Sequence, residues 1–137
     1  MHLLDTNIVS HVIRGDEPRV RERLQRLPVG TVVISAVTEG ELRYGLARRG
    51  HPSGLTQRVE AFLLRVDILP WDTAVAQAYG TLRTACEASG APLAALDMMI
   101  ASHALCVDAT LVSRDRAFTR VPCGLRVEAW LEDEGAH

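Results

Sequence analysis

The chain predicts an α/β fold built on a parallel β-sheet, and three observations predict it. Short apolar runs of the kind that form buried strands occur at Met1-His-Leu-Leu4, Thr31-Val-Val-Ile34 and Ala109-Thr-Leu-Val-Ser113. Between them lie stretches whose apolar residues recur at helical spacing. Each run passes directly into a carboxylate or a hydroxyl, namely Asp5, Ser35 and Arg114-Asp115. That is where open α/β sheets place their ligands, at the C-terminal ends of strands.

Taken in order, the first strand ends at Asp5, and Ile8, Val9, Val12 and Ile13 then mark a helix over 6–14, with Thr6 as its expected cap and Gly15 as its stop. A second helix over 18–27 starts with proline in its first turn and carries most of the early arginines outward. The β-branched run 31–34 is the second strand, and Ser35 caps a helix over 36–49. Thr38 and Glu41, three apart, share a face of that helix, while Glu39 lies on another. After the break at Gly50, Pro52 and Gly54, a helix over 55–66 leads to a short strand, Asp67-Ile-Leu69. Asp72 is expected to cap a long helix reaching to about Ser89, with Gly80 inside it allowing close packing. The segment 93–105 is apolar nearly all round except for Asp97, Ser102 and His103, so it should be a buried helix in which Asp97 needs a partner or a metal. The strand 109–113, a turn at 116–118 and an edge strand at 125–127 complete the sheet.

The 137 residues suit one domain spanning 1–137, with a frayed acidic tail over 132–137. No apolar run approaches the roughly 20 residues of a membrane span, and nothing precedes the first strand that could serve as a leader, so a soluble protein of the cytoplasm is expected. Cys86, Cys106 and Cys123 are odd in number and lack metal-site spacing, which points to buried neutral thiols. All 15 basic residues are arginines, which excludes Schiff-base chemistry, P-loop phosphate binding and receiver-domain phosphotransfer, each of which needs a lysine. Arginine clusters at 14–26, 43–49 and 114–120 suit contact with RNA or DNA as well as a solvated helical face. Trp71 and Trp130 read as core or lid packing, Tyr44 as a cover for the core in preference to a ring that stacks on a base, and His103, about 120° around the helix from Asp97, as a packed histidine.

Asp5, Glu41, Asp97 and Asp115 are all expected at one sheet edge, because parallel strands end on the same side. Four carboxylates in one pocket repel one another, and one or two Mg²⁺ or Mn²⁺ ions resolve that repulsion with oxygen ligands. Such a site activates water and supports in-line phosphodiester hydrolysis. Thr6, Ser35 and Ser113 are hydroxyls near the same edge that could hold water or a phosphate oxygen, or act only as caps and strand ends.

Four stretches in order resemble the PIN-domain ribonucleases, and within them the VapC-like toxins of type II toxin–antitoxin pairs. They are Leu4-Asp-Thr-Asn7, the run from Ile34 to Gly45, the run from Leu96 to Ala104, and Leu111 to Phe118 followed by Val121 to Trp130. The resemblance implies a three-layer α/β/α sandwich with a mostly parallel central sheet of four to five strands. It also implies Mg²⁺- or Mn²⁺-dependent endoribonuclease activity that inhibits translation or growth, neutralisation by a VapB-like antitoxin, and a homodimer. Asp5, Glu41, Asp97 and Asp115 match the family's acidic quartet, and Thr6, Asn7, Ser35 and Ser113 match its polar surround. Asp5, Asp97 and Asp115 are then the expected metal ligands, with Glu41 holding or activating water. Arg114 replaces an asparagine common in the family, and a cation there would either weaken metal binding at Asp115 or grip RNA. The alternatives are a catalytically weak PIN-like module that binds RNA or protein, and a housekeeping PIN nuclease without an antitoxin. A haloacid-dehalogenase-type phosphatase is disfavoured, because Asn7 stands where its second aspartate is required.

Overall fold

The computed structural model describes residues 1–130, so the tail expected to fray lies outside the described residues. Its sheet has five strands, β1 (His2–Leu4), β2 (Val32–Ser35), β3 (Asp67–Leu69), β4 (Thr110–Ser113) and β5 (Val127–Ala129), in the order β3-β2-β1-β4-β5. Every pairing is parallel. The helices are α1 (Thr6–Arg14), α2 (Pro18–Arg26), α3 (Ala36–Arg48), α4 (Ser53–Arg65), α5 (Thr73–Ser89) and α6 (Ala95–Cys106), with a 3₁₀ turn at Arg116–Arg120.

Strand residues alternate between two cores, as the period of two requires. Leu4, Ile34 and Val112 face one way, onto Ile8, Val9, Val20, Leu42, Leu46, Phe62 and the fully buried Trp130. Leu3, Val33 and Leu111 face the other way, onto Leu82, Cys86, Ile100, Ala101, Ala104 and Phe118. Helices α1 to α4 thus cover one face and α5 and α6 the other, which is the three-layer sandwich that was expected. Each large side chain removed from water in these layers contributes about 1.5–3 kcal/mol. Among the described residues no helix is long and apolar enough to cross a membrane.

The element boundaries follow local chemistry. Gly15 stops α1 at φ 70°, a left-handed conformation that glycine adopts without strain, and its N–H reaches back to the His11 carbonyl. The cap at the other end is Asp5 rather than Thr6, because the Asp5 carboxylate accepts from the Ile8 N–H at 2.9 Å while Thr6 is already helical. Ser35 and Asp72 cap α3 and α5 as expected. The edge strand lies at Val127–Ala129, two residues later than the sequence suggested, where Leu111, Val112 and Ser113 of β4 fix its register. Gly80 does not serve close packing, since a Cβ added there would meet nothing within 4 Å. Cys86 is buried as expected, but Cys106 and Cys123 are exposed.

The strand order places a topological switch between β1 and β4. Successive strands step outward from β1 through β2 to β3, and the chain then returns to add β4 on the other side of β1. Asp5 at the end of β1 and Asp115 just past β4 flank the crevice that such a reversal opens.

Candidate active site

Asp5 is the most enclosed acid of this edge, at 4% exposure. Besides capping α1 with one oxygen, it accepts from the Ser113 hydroxyl with the other, at 2.5 Å. Burial pushes its carboxyl above the ordinary range, the bonds from Ser113 and Ile8 pull it back, the charge of Asp115 raises it and His11 lowers it. The same Ser113 oxygen accepts from the Asp115 N–H at 3.0 Å, so one hydroxyl ties the ends of β1 and β4 together. Asp115 caps the 3₁₀ turn through the Ala117 N–H at 2.9 Å.

Glu41 reaches the edge from the second turn of α3. Its Oε1 accepts from the Thr6 hydroxyl at 2.8 Å, and Thr6 in turn lies 3.1 Å from the hydroxyl of the buried Thr38. Because the Thr6 proton is committed to Glu41, Thr38 is the donor to Thr6. Thr38 was missed as a site residue, although its three-residue spacing from Glu41 was visible in the sequence. Glu39 points elsewhere and pairs with Arg43 at 2.9 Å.

Asp97, in the first turn of α6, ties the group together. Its carboxyl is raised first by burial and then by the negative charges of Asp115, Asp5 and Glu41. Four acids carried by four separate elements are therefore near enough to feel one another. Among the described residues, however, no three His, Cys, Asp or Glu side chains form a ready-made cage for a metal ion. The acids are engaged by the protein itself, Asp5 by Ile8 and Ser113, Glu41 by Thr6 and Asp115 by Ala117. A hard cation that keeps several of its own waters and takes only one or two carboxylates fits an all-oxygen set of this kind better than a tightly caged ion does.

The remaining expected residues fare differently. Ser35 accepts from the Val37 N–H and lies 2.8 Å from Nδ1 of His103, so its oxygen is engaged away from the acids. His103 is buried and its ring is pushed toward the neutral form by burial, in agreement with its reading as a packed histidine. Asn7 is exposed. Arg114 does not fold over Asp115; its guanidinium sits 3.1 Å from Nε2 of His11, whose Nδ1 lies 3.0 Å from Asp16. Nδ1 of His11 also lies 3.3 Å from the Arg14 guanidinium, so the ring sits between two arginines and Asp16. His11 gave no sequence signal, because nothing in its spacing relates it to Arg114, 103 residues later. Tyr44 is 65% exposed, not a cover for the core as expected.

Residues 2–122 match the family model for the PIN domain. The tRNA(fMet)-specific endonuclease VapC of Shigella flexneri is 38% identical over 129 residues, covering 93% of this chain and 96% of that protein. Among solved structures, VapBC2 from Rickettsia felis bound to a DNA fragment from their promoter matches with TM-score 0.87 and 32% identity, over 94% of this chain and 98% of that one. FitAcB from Neisseria gonorrhoeae matches with TM-score 0.81 and 32% identity, over 93% and 96% of the two chains. With the fold, the acidic edge and these relatives in agreement, the chain belongs to the PIN-domain family, in its VapC branch.

Proposed function

We propose that this protein is a Mg²⁺- or Mn²⁺-dependent endoribonuclease that acts as the toxin of a toxin–antitoxin pair. The observation that carries the reading is the gathering of Asp5, Glu41 and Asp115 around Asp97 at the end of a parallel sheet, close enough that their charges add to burial in raising the Asp97 carboxyl. Asp5, Asp97 and Asp115 would hold the metal. When bound, a divalent cation neutralises the carboxylates and makes a water acidic enough to attack a phosphodiester at neutral pH. Ser113 fixes the free oxygen of Asp5 and the backbone of Asp115, so both acids stay aimed at the crevice. Thr6 holds Oε1 of Glu41, which leaves Oε2 to take the proton of the attacking water. The buried Thr38 hydroxyl keeps Thr6 in that orientation.

A partner belongs to the same proposal. A groove of about 550 Å³ runs between α2 and α4, with Leu24, Leu27, Val29 and Phe62 as apolar lining and Arg58 and Arg65 as basic lining. An amphipathic helix with acidic flanks, supplied by a VapB-like antitoxin, fits this combination. The relatives from Rickettsia felis and Salmonella typhimurium, solved as VapBC assemblies bound to DNA, support a partner of that class.

The test is cleavage of a mixed pool of tRNA and messenger RNA by the purified chain. Cleavage is expected with Mn²⁺ or Mg²⁺, silence with EDTA, and a loss of at least about a hundredfold in Asp5→Asn, the scale on which removal of a group that stabilises the reacting charge is felt. Equal activity in the Asp5→Asn variant, or cleavage in EDTA, would refute the assignment.

A further inference from the structure

Next to the acidic edge, α1, α3 and α4 wall a cleft of about 220 Å³ whose lining includes Thr6 and Glu41 together with Tyr44, Gly45, Arg48 and Arg49. Three features of this wall have no explanation inside the fold. Tyr44 exposes 65% of its surface, and the guanidinium carbon of Arg48 lies over its ring, 5.7 Å from the centroid. Arg48 and Arg49 make no ion pair among the described residues, whereas Arg43 on the same helix bonds both Glu39 and Glu60. Gly45 sits in the interior of α3, where alanine would be better by about 1 kcal/mol. A Cβ added to Gly45 would meet nothing within 4 Å, so internal packing does not call for glycine, and the space it leaves belongs to the cleft.

An exposed aromatic ring, a guanidinium stacked on it and a second unpaired guanidinium are the parts that hold single-stranded RNA. Bases stack on aromatic faces and guanidinium planes, and phosphates take the forked N–H donors. The cleft shares Glu41 and Thr6 with the edge where the phosphodiester would react, which puts a nucleotide bound there beside the bond to be cut. We propose that this cleft is the subsite for a nucleotide flanking the scissile phosphate of single-stranded RNA, with Tyr44 stacking its base and Arg48 and Arg49 holding its phosphate. The inference rests on the ribonuclease reading above and assigns to that site a residue that selects substrate. RNA suits this cleft better than a protein segment, because Arg48 and Arg49, which make no ion pair among the described residues, favour phosphate over an apolar helix.

The experiment uses a single-stranded oligoribonucleotide of mixed sequence whose cleavage position has been mapped with the wild type in Mn²⁺. Two further RNAs carry one abasic nucleotide each, on one side or the other of that position. In the wild type, one of the two abasic RNAs should lower kcat/KM about tenfold or more, the factor that roughly 1.4 kcal/mol of base stacking corresponds to. Tyr44→Phe should keep that sensitivity. Tyr44→Ala should cleave the intact RNA and the sensitive abasic RNA equally poorly, with the loss in KM rather than kcat. Intact-RNA kinetics like the wild type's in Tyr44→Ala, or the same abasic penalty in both proteins, would overturn the subsite. Normal RNA cleavage by Tyr44→Ala together with escape from a purified VapB-like protein would assign the cleft to a protein partner and overturn it too. A wild type that leaves the RNA intact in Mn²⁺, or an Asp5→Asn variant as active as the wild type, would instead break the ribonuclease reading and take the subsite down with it.

Discussion

Replacing Ser113 with alanine removes a single hydroxyl that serves two acids. Its oxygen donates to Asp5 Oδ2 at 2.5 Å and accepts from the Asp115 N–H at 3.0 Å. Ser113 is fully buried and Asp5 is 4% exposed, so water replaces these bonds poorly. Leaving an N–H and a carboxylate oxygen without their partner costs about 1–3 kcal/mol. For a domain of this size, roughly 2 kcal/mol lowers the melting temperature by about 5–8 °C.

The functional consequence has a defined sign. The Ser113 bond is the largest influence holding the Asp5 carboxyl down against its burial, so without it the carboxyl moves further up. If catalysis requires ionised Asp5, the acid limb of the kcat/KM profile moves to higher pH in the variant. At neutral pH activity should fall about 10- to 100-fold, the usual loss when a group that orients a ligating carboxylate is removed. The deficit should narrow as the pH rises. The assay is kcat/KM on a defined RNA between about pH 5 and 9 at saturating Mn²⁺, with a thermal melt of each protein. An acid limb that stays in place while the melting temperature falls would refute the link between Ser113 and Asp5 ionisation and leave Ser113 a purely structural role.

Two further outcomes follow from the same bonds. The raised Asp5 carboxyl means that the folded state holds this proton more tightly than the unfolded state, so the stability it contributes is present at acid pH. That stability is lost as the pH rises from the ordinary carboxylate range through the raised folded value. Asp5→Asn, which keeps a cap of equal quality, should therefore gain stability over the metal-free wild type across that window in denaturant melts, and parallel curves would contradict the burial argument. Thr6→Val keeps the shape of the side chain but removes the donor to Glu41 Oε1, and should lower kcat about 10- to 100-fold with little change in KM; an unchanged kcat would show that Glu41 needs no such support.

Most of the sheet was legible because its strands are short, β-branched and bounded by turn chemistry. Val32–Ser35 and Thr110–Ser113 were found nearly residue for residue. The edge strand was misplaced by two residues because Leu125 is the more apolar start, and what sets the register is pairing with β4 rather than the local pattern. Asp5 displaced Thr6 as the cap because an aspartate at the end of a strand already has the extended backbone that a cap needs, whereas Thr6 is the first helical residue. The two exposed cysteines show the limit of composition, since residue type gives an average burial and position decides the individual case.

The acidic edge was legible for a different reason, because parallel strands force their C-terminal residues to one side whatever their separation in sequence. Topology alone thus brought Asp5 and Asp115 to the crevice between β1 and β4. What stayed hidden were relations that depend on where a long side chain goes. Arg114 stands next to Asp115 in sequence, which suggested a direct cation on the metal site, yet its guanidinium is drawn to His11. Asp115 is instead bound into the site from the other direction, through its own N–H and the hydroxyl of Ser113. Among the described residues, Arg114 therefore makes no ion pair with the carboxylate beside it. The Arg114 guanidinium lies on the α1 side of the crevice, against His11. Burial raises the Asp5 carboxyl, the hydrogen bonds from Ser113 and Ile8 draw it back toward its ionised form, and the ionised form is the one a metal requires.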